Sequence, residues 1–435
     1  VKKVLIITYY WPPSGGAGVQ RMLKLVKYIR ESGWEPIVFT ADDADYPVHD
    51  NSLENDIPNG VTIWKNKIWE PYDLYKKFIG VKKNQKVYSG FMSEKKKIST
   101  TQKLSIWIRG NLFIPDARMF WIKPSIKYLS NKLNHEKIDA VISSGPPHSC
   151  HMIALGIKKK FNLPWLADFR DPWTNIDFYD QLGLTSFADL KHKRLEKEVL
   201  KNADAIDTVS WNWASDFEKI CGKKINVITN GFDEEDFIIP ESSIARTNEF
   251  IISHIGSMNR DRNHPLFWKA IKELIDRDSL FESKIRIQLI GKNDASVEEQ
   301  IEINQLEKYI KRIEYLPHNE INRYQLDSSI LYLPLNNTPN VEGIIPGKLF
   351  EYLASRKPIL LIGSITGDSS RIIKEANAGY TIDFNDFEGI KKSIKKVYDE
   401  WNNESNYSTN NIDIQKFSRR EIAKKFASVL DSLIR

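Results

Sequence analysis

Val4-Leu5-Ile6-Ile7-Thr8-Tyr9-Tyr10-Trp11-Pro12-Pro13-Ser14-Gly15-Gly16-Ala17-Gly18-Val19 is the stretch that decides the fold. Four apolar residues in an unbroken run read as a strand covered on both faces, the pattern of a parallel sheet. A Pro/Gly loop follows. Val19, Leu23, Val26 and Ile29 then return at helical spacing until Gly33 ends the periodicity. A buried strand, a glycine loop and an amphipathic helix form the opening unit of an α/β domain.

The same alternation recurs outward. Short apolar runs at residues 37–40, 61–64, 140–143, 165–169, 205–209 and 227–229 read as strands, with helical stretches between them such as 150–160. Asp, Glu, Ser and Pro then cluster over 232–250 without periodicity. A second set follows, with strands at 251–255, 285–290, 330–333 and 359–362 and helical patterns at 266–276, 297–310, 347–354 and 370–376. The chain therefore reads as two Rossmann-like domains. The first, 1–235, carries a basic insertion at 65–103; a linker, 236–249, leads to the second, 250–410. Phe417, Ile422, Phe426, Val429 and Leu433 mark one face of a closing helix within 411–435.

Composition narrows the classes. The 435 residues are 41% hydrophobic and 28% charged, which excludes fibrous and wholly disordered chains. Lys plus Arg exceed Asp plus Glu by 63 to 57, a net charge of +6 whose placement matters more than its size. Cys150 and Cys221 are too few for a disulfide framework and fit a reducing compartment. No signal peptide and no run of about eighteen apolar residues is seen, so the expectation is a protein neither secreted by an ordinary leader nor crossing a bilayer. Between Lys65 and Lys103 eleven lysines stand against Glu70, Asp73 and Glu94, interleaved with aromatic residues. That segment suits an anionic membrane surface or a solvated insertion. Nucleic acid is disfavoured because no recognition motif accompanies the charge.

In open parallel sheets ligands bind beyond the carboxyl ends of the strands, which selects a few loops. Gly15 and Gly16 let backbone amides approach an anion or acceptor closely, though the loop matches neither the dinucleotide fingerprint nor the Walker sequence. In Ser143-Ser144-Gly145-Pro146-Pro147-His148-Ser149, His148 stands at the sheet's edge, where a neutral imidazole can donate to a sugar hydroxyl. Asp168-Phe169-Arg170-Asp171-Pro172-Trp173 puts three charges at a strand end. There Arg170 can hold Asp168 or Asp171, leaving the other carboxylate or Trp173 for an acceptor; a purely structural ion pair is the competing reading.

In the second domain Gly256 ends a strand, and Arg262 offers a fork of donors suited to a diphosphate. The later block Glu342-Gly343-Ile344-Ile345-Pro346-Gly347-Lys348-Leu349-Phe350-Glu351-Tyr352-Leu353-Ala354 brings an ammonium, Lys348, and one turn further a carboxylate, Glu351, able to accept both ribose hydroxyls. Asp43-Ala44-Asp45 and Asp276-Arg277-Asp278 match the short aspartate pair of metal-dependent transferases in form only, and no metal is expected.

Together with Thr229-Asn230-Gly231-Phe232-Asp233 and Lys357-Pro358, these loops resemble a retaining GT-B glycosyltransferase of family 4, the type that builds bacterial surface polysaccharide. The resemblance covers nearly the whole chain. It implies an α/β GT-B fold, with two Rossmann-like domains facing across a cleft and a C-terminal helix crossing back to the first. It implies a nucleotide sugar, UDP-linked by preference, as donor and no further cofactor. Sugar would pass with retention to a polyprenyl-diphosphate-linked or glycan acceptor, in O-antigen or capsule synthesis, at the inner face of the cell membrane.

By position, Glu351 is similar to the ribose glutamate, His148 to the histidine facing the transferred sugar, and Arg262 to the first of a basic pair whose second member Lys348 replaces. Gly15, Gly16, Gly256, Gly343, Ile344 and Ile345 complete the implied donor contacts. Asp168, Arg170, Asp171 and Trp173 lie on the acceptor side. The family often has a glutamate eight positions before the ribose glutamate; here that position is Gly343, with Glu342 one residue earlier, and the amides of 343–345 are the expected substitute. A nucleotide-sugar epimerase of the same fold, and a non-catalytic membrane-associated scaffold with a degenerate donor pocket, are the competing readings.

Overall fold

The computed structural model describes residues 1–46, 48–70, 100–237, 248–314, 316, 318–403 and 414–434. Most of the basic insertion and of the expected linker therefore lies outside the described residues. The chain divides into two units. One holds the described residues up to Asn230 together with those from Arg419 on; the other holds Gly231–Ser418.

The first unit is a seven-stranded parallel sheet of β1 (Lys2–Ile7), β2 (Trp34–Asp42), β3 (Thr62–Lys67), β4 (Ala140–Gly145), β5 (Trp165–Phe169), β6 (Ala205–Thr208) and β7 (Asn226–Val227), in the order 3-2-1-4-5-6-7. The second unit is a six-stranded parallel sheet of β8 (Phe250–Ile255), β9 (Ile285–Ile290), β10 (Ile310–Ile313), β11 (Ile330–Pro334), β12 (Ile359–Ile362) and β13 (Gly379–Ile382), in the order 10-9-8-11-12-13. Both are Rossmann-like, and the architecture is the α/β GT-B fold. In each sheet the strand order reverses once, between β1 and β4 and between β8 and β11. Loops leaving neighbouring strands diverge there and open a crevice.

Three of the differences from the sequence reading have a plain physical reason. The helical pattern over 297–310 breaks: the helix is Ala295–Ile303, and 310–313 form edge strand β10. Its Ile-Lys-Arg-Ile has two exposed cations, which suits an edge strand and hides the apolar run that marks a central one. Strand β13, Gly-Tyr-Thr-Ile, is half-buried throughout for the same reason. The closing helix is Arg419–Leu433, and Phe417 is not on its stripe. Phe417 lies in a preceding 3-10 turn with its ring 5.5 Å from Phe350 of the second unit.

The closing helix packs on the Ala17–Tyr28 helix through Ile422, Phe426 and Leu430. The Trp34 indole N–H donates to Asp431 (2.9 Å), fixing its far end. Beneath Phe426 lies Arg21, whose guanidinium is 5.0 Å from the ring and whose side chain is 1% exposed. Arg21 bonds Asp168 of β5 (Nη2 to Oδ1, 2.8 Å), Asp207 of β6 (2.9 Å) and the carbonyls of Ile228 (2.8 Å) and Thr229 (2.9 Å). Burial favours the uncharged form of all three ionisable groups. The two carboxylates outweigh it for Arg21, and Arg21 outweighs it for Asp168. Asp207 stays well above the usual carboxylate range because of burial and the charge on Asp168, to which it is hydrogen-bonded. Arg21 thus holds the charge on Asp168, while Asp207 gives up its proton less readily than an ordinary carboxyl.

This balance gives a prediction. Arg21→Met leaves an unpaired buried carboxylate and costs about 3–5 kcal/mol in urea unfolding, while Asp207→Asn, which mimics the protonated acid, changes stability by less than about 1 kcal/mol. The folded state holds the Asp207 proton after the unfolded chain has released it. The Asp207 contribution to stability therefore falls as pH rises above the ordinary carboxylate range, and Asp207→Asn removes that contribution.

Candidate functional site

In the second unit the crevice forms around Gly256. Its φ is +101°, and Gly291 after β9 has φ +114°. A Cβ on Gly291 would meet the Gly256 carbonyl carbon and oxygen at 3.0 Å, so the two loops cross where only glycine fits. A Cβ on Gly256 would lie 3.0 Å from Lys348 Nζ. Lys348 opens the Lys348–Ala354 helix and donates to the Ile255 carbonyl at the end of β8.

Arg262 approaches the same turn from the other side. It closes a 3-10 turn, Arg260–Arg262, capped by Asn259, whose Oδ1 accepts from the Arg262 amide (3.1 Å). Its Nε donates to Asn336 Oδ1 (2.8 Å) after β11, and Nη1 to the Ser257 carbonyl (3.3 Å). Two cations thus converge on Gly256–Ser257. Burial and the Arg262 charge pull the Lys348 ammonium down to about 7, against the opposing pull of Glu351. Glu351 is half-buried and accepts from Gln325 Nε2 (3.3 Å).

The stretch 342–345 departs from its expected role. The Gly343 and Ile344 amides are taken within their own turn by the carbonyls of Asn340 (3.2 Å) and Val341 (3.1 Å), and Ile345 is buried. A short turn closes on itself there, so the first two amides do not stand in for a missing carboxylate. Glu342 instead accepts from the hydroxyls of Ser364 (2.6 Å) and Thr366 (3.1 Å), shaping the loop after β12. Asn336, Gln325, Ser364 and Thr366 escaped the sequence reading. Asn336, Ser364 and Thr366 directly follow strands, so the rule that selected the other loops could have found them; Gln325 sits late in the His318–Asp327 helix and carries no such signal.

In the first unit the crevice lies between the loops after β1 and β4. Gly15 is buried, its amide donates to the Val48 carbonyl (2.8 Å), and a Cβ there would meet Val48 at 2.9 Å. Gly16 is exposed at φ +89° with nothing within 4 Å of an added Cβ, so it alone of the pair presents backbone to open space.

The expected pairing of Arg170 with Asp168 or Asp171 does not form. Arg21 and the Ser144 hydroxyl (2.6 Å) take Asp168, which is fully buried and closed to an acceptor. Arg170 donates to the carbonyls of Gly18, Gly145 (3.4 Å) and Pro146, tying the β1 and β4 loops together. Asp171 is half-buried, and burial, opposed by Arg170, holds its carboxyl above the usual range. His148 stacks flat on Trp173, with rings 4.3 Å apart and 2° from parallel. Burial and the neighbouring His151 hold it well below the ordinary histidine value, so it is neutral. Its Nδ1 is buried with no partner among the described residues. Trp173 is itself 4% exposed, and its indole N–H donates to His192 Nδ1 (3.1 Å), so it packs behind His148 and is not an open acceptor platform.

Residues 235–413 match the family described as glycosyl transferases group 1. The match covers most of the second unit. In fold the whole chain is similar to sucrose-phosphate synthase from Thermosynechococcus elongatus (TM-score 0.65, 11% identity, covering 100% of this chain and 99% of that one). It is likewise similar to Anabaena HepE in complex with UDP (TM-score 0.64, 12%, 100% of each). WaaG, a glycosyltransferase involved in lipopolysaccharide biosynthesis, is a further neighbour (TM-score 0.56, 12%, 98% and 99%). No curated protein matches the chain in sequence. The group 1 match and the GT-B fold support a glycosyltransferase. Among the described residues no helix is long and apolar enough to cross a membrane.

Lys348 supplies a direct check on this geometry. A lysine whose folded pKa lies below its unfolded value penalises the folded state fully below about 7, and the penalty fades as pH rises toward 10.5. Free protein therefore gains stability from pH 7 to 9, and Lys348→Met, melted at pH 6, is more stable than wild type and loses that gain.

Proposed function

We propose that the chain transfers a sugar from a nucleotide sugar, UDP-linked by preference, to a polyprenyl-diphosphate-linked or oligosaccharide acceptor in surface-polysaccharide synthesis. Configuration is retained. The observation that carries this reading is the convergence of Arg262 and Lys348 on the Gly256 turn. Two cations that repel one another in a buried crevice are relieved by a bound diphosphate, and relieved further as negative charge builds on it during bond breaking. Glu351, one helical turn behind Lys348, takes the ribose hydroxyls, and the Gly256 turn lets backbone approach the phosphates.

On the acceptor side, neutral His148 is the hydrogen-bonding group offered to the transferred sugar, held in orientation by Trp173. Arg170 acts as a positioning residue that sets the Gly16 loop against it. Retention follows if the acceptor hydroxyl attacks from the face that the diphosphate leaves, with the leaving phosphate taking the proton. Arg262 and Lys348 do the electrostatic work, so no metal enters the scheme. The structures of HepE with UDP and with UDP-glucose, and the stated role of WaaG in lipopolysaccharide biosynthesis, support the donor and the pathway class. The lipid-linked acceptor places the enzyme at the cytoplasmic face of the membrane as a peripheral protein.

Glu351→Ala weakens UDP binding by about tenfold or more in calorimetry, the loss of a bidentate charge-assisted contact, without lowering the melting temperature. Unchanged affinity would remove the ribose assignment. Binding also takes up a proton at Lys348 above about 7, so UDP-sugar affinity falls between pH 7 and 8.5, by at most about tenfold per unit, and Lys348→Arg flattens the slope. A panel of UDP-sugars incubated with lipid-linked acceptors, with the product linkage read by NMR, tests the reaction. Isomerised donor without acceptor would indicate an epimerase, and binding without turnover a scaffold.

A further inference from the structure

The backbone beside His148 is fixed. The Ser149 amide (2.8 Å) and hydroxyl (2.7 Å) both donate to Asp116 at the start of the Ser149–Phe161 helix. The ring has less to hold it, because its Nδ1 has no partner among the described residues. His151 and Phe169 lie 5.8 and 6.1 Å away and tilted. The flat contact with Trp173, 4.3 Å between ring centres, is therefore what sets the plane of the imidazole.

Trp173 is in turn fixed by the Ser186–Asn202 helix. Ala188, His192, Glu196 and Val199 are buried at every third or fourth position, the spacing of one helix face. Two of these four are ionisable, which packing alone does not call for. Both are engaged by consecutive residues of the loop after β5. His192 Nδ1 accepts from the Trp173 indole N–H (3.1 Å). Glu196, one turn further, accepts from the Thr174 hydroxyl (2.6 Å) and amide (3.3 Å).

The bonding of His192 settles its tautomer. An indole nitrogen only donates, so Nδ1 of His192 carries no proton. In the neutral ring the proton sits on Nε2, which donates to the Gly110 carbonyl (3.3 Å) of the Thr100–Leu112 helix. Burial, opposed by that carbonyl, holds His192 below the ordinary histidine value and keeps it neutral. Each ring nitrogen then has one role and one partner. A phenylalanine at 173 would stack on His148 as well, but with no N–H it could not be held by His192.

We infer that His192 is a positioning residue for sugar transfer: through Trp173 it holds the plane of His148, while Glu196 anchors the adjoining Thr174. This rests on the proposed reading of His148 as the group facing the transferred sugar, and it deepens that reading with a residue that acts only through others.

The test reads His148 directly, by NMR of the full chain with isotope-labelled histidine and ring signals assigned by single substitutions. In the wild type His192 shows the Nε2–H tautomer, and the His148 ring protons show the upfield shift of a ring lying on an indole face. His192→Phe keeps an aromatic ring but offers no acceptor. It removes that upfield shift and lowers kcat for sugar transfer by about tenfold or more, with UDP affinity, carried by the second unit on this reading, unchanged. His192→Asn, whose Oδ1 takes the place of Nδ1, restores the shift and most of the rate. An Nδ1–H tautomer at His192 in the wild type would overturn the inference without recourse to any variant. A His148 signal indifferent to His192→Phe would do the same, as would a rate loss that His192→Asn leaves unrescued. The two readings fail separately. His148 signals that respond in a protein moving no sugar from any donor leave the positioning of the ring standing and remove the transferase; transfer at full rate in His192→Phe removes the positioning role and leaves the transferase.

Discussion

Buried charge needs a partner on the spot, and the first unit is organised around that requirement at Arg21. An unpaired guanidinium at this depth would cost several kcal/mol. Meeting it draws in β5 through Asp168, β6 through Asp207 and the chain after β7 through two carbonyls, while Phe426 of the closing helix caps the charge. The sheet's carboxyl edge is thereby stitched together from beneath. One layer above, Arg170 stitches the loops after β1 and β4, using carbonyls alone. With both arginines committed to scaffold, what faces the crevice is neutral: the exposed Gly16 backbone and the uncharged His148. On the proposed reading this surface meets a sugar hydroxyl and not a phosphate, and uncharged groups suit that partner.

The second unit solves the opposite problem. Its crevice brings Arg262 and Lys348 to one turn and leaves them facing each other, with the ammonium pulled toward neutrality by its surroundings. Placing the charges costs stability in the free protein and returns it when an anion arrives. Asn336 accepts from the Arg262 guanidinium and Asn259 from its backbone amide, so side chain and backbone are both held in place. Glu342 accepts from Ser364 and Thr366 and so shapes the loop after β12. On the proposed reading the anion is the donor diphosphate, whose charge two cations match better than one would.

How much of this was legible in the sequence follows from which interactions are local. Continuous apolar runs disclosed the central strands, because a strand buried on both faces has nowhere to hide a polar residue. The edge strands β10 and β13 were missed, since an exposed edge tolerates Lys311, Arg312 and Thr381. The loops were found by their position after strands. Their contents were less readable: Arg170 stands beside two aspartates in sequence, and proximity suggested the pairing. The partner Asp168 took instead was Arg21, 147 residues away. The spacing of charges along a chain says little about which ones meet inside a fold built from long crossovers. Phe417 misled in a different way: it is apolar and close to the closing helix in sequence, but it lies just before it and roughly half a turn out of phase with its stripe.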